Sequence, residues 1–397
     1  MIISKLPDVG TTIFTVMTNL ANEYSAINLA QGFPDYDAPE VLIDYLAAAA
    51  RGGHNQYAPM PGLLSLCEAI VAKYSIVHAV ALDPVTQVTV TPGGTAALFT
   101  AIAATVRNGD EVIIFEPAYD SYAPAVIANG GIVRPSRLRA PFYTPDWDHV
   151  RSLINDHTAM IIVNTPHNPT GTMWVTEDVD ALALLCENTR IVVLSDEVYE
   201  LVTFDGRVYS SLIAHKGLAD RTFVVTSFGK TYHVTGWKVG ACVASAALTS
   251  EFRKVHQFLS FSVHTPTQVA LAAMLADPST YLGLTTFFQA KRDLFVALLE
   301  GSTWTVRPCS GSYFQLLGYE NITTETDVAF AHRLTIDAKV ASIPLSPFYS
   351  KNENRGSQAT PNVDLVLRFC FAKKDETLHL AAERLRRYDI HTSTKTY

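Results

Sequence analysis

Six short apolar runs between residues 87 and 245 constrain this chain more than any other feature. They read QVTVT (87–91), EVIIF (111–115), AMIIVN (159–164), RIVVLS (190–195), TFVVTS (222–227) and GACVAS (240–245). Most are rich in valine or isoleucine, and several are apolar on both faces of an extended strand. A strand buries both faces only in a sheet covered on both sides, as mostly parallel sheets are. The intervening segments, such as TAALFTAIAATVRNG and VTEDVDALALLCENT, have helical length and period. The alternation predicts an α/β fold with helices on both faces of the sheet.

Residues 246–300 read as predominantly helical. Beyond them, WTVRPCSGSYFQLLG, a helical stretch near 325–338, ASIPLS, LVLRFCFAK and DETLHLAAERLRRY follow in order. That strand–helix–strand–strand–helix succession predicts a smaller α+β unit. The expected division is a large domain over 43–283 and a small one made of 1–42 and 284–397. The polar segment YSKNENRGSQATPNVD (349–364) reads as a mobile surface loop.

A net charge of -8 repels phosphodiester backbones and argues against nucleic acid as a partner. With 48% hydrophobic and 17% charged residues, the chain has the composition of a filled globular core rather than of disorder. The start, MIISKLPDVGTTIF, has no secretory apolar core, and no run approaches the roughly 20 apolar residues that cross a bilayer. The five cysteines, Cys67, Cys186, Cys242, Cys309 and Cys370, lie far apart with no C-x-x-C pair. They predict neither a zinc site nor a disulfide framework, and a cytoplasmic protein is expected.

In an open α/β sheet, ligands bind beyond the carboxyl ends of the strands. The first run is followed by TPGGTAAL, whose Gly94 and Thr95 open a helix and offer backbone N–H groups to an anion. The second delivers Tyr119 in EPAYDSY, the third Asn168 in NTPHNPTG, and the fourth Asp196 and Tyr199 in SDEVY. The fifth delivers Ser227 and Lys230 in SFGKTYHVTGWKVG, with Lys238 eight places on. Gly229-Lys230-Thr231 does not end a nucleotide-hydrolase phosphate loop, because Val224 stands where that loop needs glycine. TPGGTAAL likewise lacks the G-x-G-x-x-G of a nicotinamide site.

An anion site, an aromatic ring, an amide, a carboxylate, a phenol and a lysine fit a phosphorylated aromatic aldehyde, pyridoxal 5'-phosphate. Lys230 is the amine that condenses with the aldehyde. Asp196 pairs with the ring nitrogen, Asn168 and Tyr199 reach the ring phenolate oxygen, and Tyr119 stacks on the ring. Ser227, Lys238 and the N–H groups near Gly94 and Thr95 hold the phosphate. Taken singly, each has a plainer reading: Lys230 as an exposed helix lysine, Asp196 as a helix cap, the tyrosines as packing. Their joint placement at strand ends favours the cofactor.

NTPHNPTG, SDEVY and SFGKTYHVTGWKVG resemble signatures of the class I/II aminotransferases, pyridoxal-phosphate enzymes of fold type I. The resemblance runs from INLAQGFPD (27–35) through NQYAPMPG (55–62) to LRFCFAKK (367–374), and is nearest the methionine and kynurenine aminotransferase branch. It implies a mostly parallel seven-stranded sheet in the large domain, and a homodimer. It also implies that Arg368 grips the substrate α-carboxylate, that the Gly32 backbone lies against that carboxylate, and that Tyr57 reaches the phosphate of the neighbouring subunit. Phe14, Phe33, Tyr36, Phe348 and, across the interface, His264 are the candidates for the side-chain pocket. Lys238 stands where many relatives carry arginine.

The implied reaction is a ping-pong transfer of the amino group from methionine or another neutral or aromatic amino acid to a 2-oxo acid. Lys230 then moves the Cα proton. A kynurenine or glutamine transaminase with cysteine S-conjugate β-lyase activity is the alternative within enzymes. A non-catalytic pyridoxal-phosphate regulatory module is the alternative outside them, and the cofactor motifs begin too early to leave room for its DNA-binding part.

Overall fold

The computed structural model describes residues 2–350 and 365–393; most of the predicted mobile loop, 351–364, lies outside the described residues. In chain order the strands are β1 (Ile27–Asn28), β2 (Val88–Thr91), β3 (Glu111–Glu116), β4 (Ile132–Arg137), β5 (Thr158–Asn164), β6 (Val192–Asp196) and β7 (Thr222–Ser227). They continue as β8 (Gly240–Val243), β9 (Thr305–Val306), β10 (Phe314–Gly318), β11 (Val340–Ala341), β12 (Ile343–Pro344) and β13 (Val366–Cys370).

The main sheet has seven strands in the order β2-β8-β7-β6-β5-β3-β4, and only β8 runs antiparallel to its neighbours. Its inner strands are buried along their length, and alternate residues feed two separate cores. Ile113, Phe115, Ile161, Val163, Val193 and Val224 point into one core. Val112, Ile114, Met160, Ile162, Leu194, Val225 and the helix Gly94–Thr105 form the other. A period of two with both faces apolar therefore produces the continuous Val/Ile runs of the sequence.

The strand absent from the six runs is β4, at the sheet edge, where exposed and half-buried residues alternate. Its sequence IVRPSR carries two arginines and Pro135. An edge position tolerates a residue without a ladder N–H, so nothing selects for an apolar run there.

A second sheet, β12-β13-β10-β9, is antiparallel and sets Arg368 opposite Leu316 on β10 and Ile343 on β12. The N-terminal segment joins this region. There β1 pairs in parallel with β11, and the Cys370 N–H donates to the Leu29 carbonyl (2.8 Å). Residues 30–36 are thereby carried across the carboxyl ends of the main sheet. All five cysteines are buried free thiols. Among the described residues no helix is long and apolar enough to cross a membrane.

Candidate active site

Each strand end contributes one piece. After β2 the chain turns at Gly93 with φ of +85°, a conformation that disfavours any side chain, before the helix Gly94–Thr105 begins. Lys238 packs over this turn: a Cβ on Gly93 would lie 3.4 Å from Lys238 Nζ, an ordinary contact distance, so the turn's φ rather than space is what requires glycine. Lys238 itself adopts a left-handed φ of +54°.

After β5, Asn164 braces the turn that follows. Its amide donates to the Asp196 carbonyl (2.8 Å), and its Oδ1 accepts from the Asn168 N–H (2.8 Å). After β6, Asp196 Oδ2 accepts from the Tyr122 hydroxyl (2.6 Å), and Oδ1 from the Val198 N–H (3.4 Å). Burial pushes the Asp196 carboxyl up to about 6 even against those two donors and the nearby Lys230 charge.

After β7, Lys230 Nζ donates to the Tyr313 hydroxyl (2.8 Å) and the Gly32 carbonyl (3.1 Å). Removal from water brings its ammonium down to about 8, and the charges of Arg368 and Lys238 act in the same direction. An amine so placed is an available base or nucleophile near neutral pH.

Arg368, on β13, is 1% exposed. Its Nη1 donates to Asn168 Oδ1 (2.6 Å) and its Nη2 to the Ala30 carbonyl (2.7 Å), while Nε has no partner. The guanidinium lies 4.0 Å from the Phe314 ring centroid, 5.1 Å from Phe14 and 5.6 Å from Phe348. Burial lowers its pKa to about 10, which leaves it charged at neutral pH. Among the described residues no carboxylate forms an ion pair with it. A buried, charged fork without a protein counter-ion is a receptor for a carboxylate.

Between these groups lies a cavity of about 310 Å³. Phe14, Gly32, Gly94, Thr95, Tyr119, Asn168, Asp196, Tyr199, Ser227, Lys230, Lys238 and Arg368 all line it. Phe348 stands behind Phe14, 5.7 Å away in an edge-to-face contact. The expected pocket position of Phe33 does not hold within the single chain. Phe33 does not line the cavity; its ring lies under Lys373 Nζ at 4.8 Å, and its carbonyl accepts from the same amine. Tyr36 packs instead against His233 and Phe287. Tyr57 is 83% exposed, its ring edge-on to that of Phe261, and the exposed His264 bonds to Thr267. Neither reaches its own chain's cavity.

Sequence reading missed Asn164, Tyr122, Tyr313 and Phe314. Tyr122 was legible as the second tyrosine of EPAYDSY, one helical turn from Tyr119. Tyr313 comes to Lys230 from 83 residues away and leaves no local signal.

Residues 24–385 match the family Aminotransferase class I and II. The chain belongs to that family. It is 49% identical over 384 residues to the methionine aminotransferase of Escherichia coli K12, covering 96% of this chain and 97% of that protein. A kynurenine–oxoglutarate transaminase of Dictyostelium discoideum is 32% identical, covering 95% of this chain and 94% of its own. A solved Escherichia coli structure, described as identifying a methionine aminotransferase function, superposes with a TM-score of 0.93 at 48% identity. It spans 98% of this chain and 99% of its own. This aminotransferase therefore has the fold type I architecture read from its motifs, in a family that depends on pyridoxal phosphate.

Proposed function

We propose that this aminotransferase takes methionine, or another neutral or aromatic amino acid, as donor and a 2-oxo acid as acceptor, with pyridoxal phosphate held in the cavity described above. The observation that carries this reading is Arg368, a buried cation that forms no ion pair among the described residues and is ringed by Phe14, Phe314 and Phe348. An α-carboxylate completes its fork, and the aromatic rings favour an uncharged side chain beside it. Among the described residues the cavity lining holds no second arginine for a distal carboxylate. The similarity to a methionine aminotransferase supports the same donor.

The residues present fit the cofactor. Asp196 is a buried carboxylate whose pKa burial raises despite the Tyr122 and Val198 donors and the Lys230 charge, and a protonated ring nitrogen would give it a direct charge partner. Gly93 turns the chain at a φ of +85° just before the helix Gly94–Thr105, so the first N–H groups of that helix and Lys238 face the cavity where a phosphate would sit. When bound, pyridoxal phosphate supplies an electron-withdrawing ring for the electron pair left at Cα. Lys230 Nζ takes the Cα proton and holds it, Tyr122 and Val198 hold Asp196 in place, and Asn168 links Arg368 to the strand ends. Tyr199, Tyr119, Ser227 and Lys238 complete the cofactor's surroundings.

The exposure of Tyr57 and His264 supports a homodimer in which both enter the neighbouring site. The division at 43–283 against 1–42 plus 284–397, and a cytoplasmic location, belong to the same reading. Comparing kcat/KM for L-methionine, L-phenylalanine, L-glutamine, L-kynurenine and L-aspartate tests the donor. We expect methionine to exceed aspartate at least about 100-fold, the scale of leaving a carboxylate unpaired in an apolar pocket. Equal values would refute the apolar-pocket reading. Stoichiometric pyruvate from a cysteine S-conjugate, without transamination, would favour the lyase.

A further inference from the structure

Lys230, Tyr313 and Gly32 form a closed triangle. Lys230 Nζ donates to Tyr313 Oη (2.8 Å) and to the Gly32 carbonyl (3.1 Å), and Tyr313 Oη donates to that same carbonyl (2.6 Å). Tyr313 is 1% exposed, its ring fixed edge-on against Tyr199 and Phe314 at 4.9 Å each. Gly32 has no room for a side chain. A Cβ there would meet Phe314 Cζ at 2.9 Å and Tyr313 Cε2 at 3.6 Å. The three atoms are thus held by packing as well as by hydrogen bonds.

The direction of the protons gives the triangle its chemical content. Both acceptors face Nζ, and the Tyr313 hydroxyl proton is directed to the Gly32 carbonyl rather than to the amine lone pair. A neutral amine donates two hydrogens to this seat and keeps its lone pair free. An ammonium donates the same two and carries its third proton where the lone pair was.

We propose that Tyr313 is a positioning residue for Lys230: with the Gly32 carbonyl it forms a two-acceptor seat that receives the free amine and leaves its lone pair available to the substrate Cα proton. The inference deepens the proposed aminotransferase reading and rests on it. The proton balance is simple. The Cα–H bond breaks, its proton forms the third N–H bond of Nζ, and the new positive charge is shared with Tyr313 Oη and the Gly32 carbonyl. Nζ surrenders that proton later in the same half-reaction and returns to its neutral form on the seat. Charged and titratable groups that also face Nζ are Asp196, Tyr199, Lys238, Arg368 and Cys370, and all are present in the test protein.

The test is Tyr313→Phe, which keeps the ring and its packing and removes the hydroxyl that accepts from Nζ and donates to the Gly32 carbonyl. In the cofactor-free protein, trace labelling of lysines with acetic anhydride across a pH series, read by peptide mass spectrometry, reports the midpoint for Lys230. Exposed Lys254 in the same sample is the reference. Loss of an acceptor destabilises the ammonium, so the Lys230 midpoint falls by about one pH unit, the scale of one hydrogen bond to a charge. In the loaded enzyme, the single-turnover rate with L-methionine falls roughly 10- to 100-fold and the Cα-deuterium isotope effect rises, with methionine affinity unchanged. A purely structural role moves neither the midpoint nor the isotope effect. If either stays at its wild-type value, the seat is refuted. A wild-type protein that fails to turn over methionine overturns the parent reading instead, and the labelling arm still decides the seat.

Discussion

Lys73→Met should destabilise the protein by about 3 kcal/mol, although Lys73 touches no part of the cavity. Lys73 is 2% exposed, and its ammonium pairs with Glu200 Oε1; His78 Nε2 meets the other carboxylate oxygen at 2.7 Å. Removing the lysine leaves a buried carboxylate without its main counter-ion, a change that typically costs about 3–5 kcal/mol. The His78 hydrogen bond to the other carboxylate oxygen remains, which places the loss at the low end. With unfolding entropy near 2.1 cal/mol/K per residue, 397 residues give about 1.2 °C per kcal/mol, so Tm falls by about 4 °C. Adding Glu200→Gln to Lys73→Met removes the stranded charge and should restore more than half of that loss.

The same pair sets an acid dependence. Burial opposes ionisation of Glu200, but Lys73 and His78 outweigh it and hold the carboxyl down to about 2. Its folded pKa lies below the unfolded value. The stabilisation is therefore complete above about pH 4.5 and is lost as pH falls from there toward 2. Thermal melts of wild type, single and double variants across pH 3–7 measure both effects. A Lys73→Met melt equal to wild type, or a double variant no better than the single, would refute the reasoning. Glu200 follows Tyr199 directly in the stretch that leads on from Asp196, so cofactor affinity should weaken with stability.

Two further outcomes follow from the site. Arg368→Lys keeps the charge but loses the planar fork, and should lower kcat/KM for the amino acid about 100-fold, mainly through KM. Steady-state kinetics over a donor series check it. Because burial brings Lys230 down to about 8, uptake of pyridoxal phosphate by the cofactor-free protein should quicken as pH rises to about 8 and level off above it. Stopped-flow absorbance reads this directly, and a rate still climbing to pH 10 would mean an ordinary lysine.

What the sequence disclosed follows from range. Strands buried on both faces write themselves as contiguous Val/Ile runs, and residues at strand ends sit beside those runs, so Lys230, Asp196, Tyr199 and Asn168 were legible together. Arg368 became legible only through the LRFCF motif, because its partners Asn168 and Ala30 are 200 and 338 residues away. The edge strand β4 hid because one face meets solvent and Pro135 interrupts it. Tyr313 and the Lys73–Glu200 pair hid for a different reason. A tyrosine in an apolar stretch and a lysine in a helix look like packing and surface until the fold closes the 83 and 127 residues between partners. Phe33, a pocket candidate beside Gly32 in sequence, turns its ring to Lys373 instead, because successive side chains diverge.

The most direct test of the account is a single half-reaction followed by absorbance. The protein loaded with pyridoxal phosphate is mixed with L-methionine and no oxo acid. The account predicts stoichiometric loss of the visible cofactor band and growth of a band near the ultraviolet, reversed by a 2-oxo acid and absent in Lys230→Ala. A visible band unmoved by methionine, phenylalanine, glutamine and kynurenine alike would contradict it.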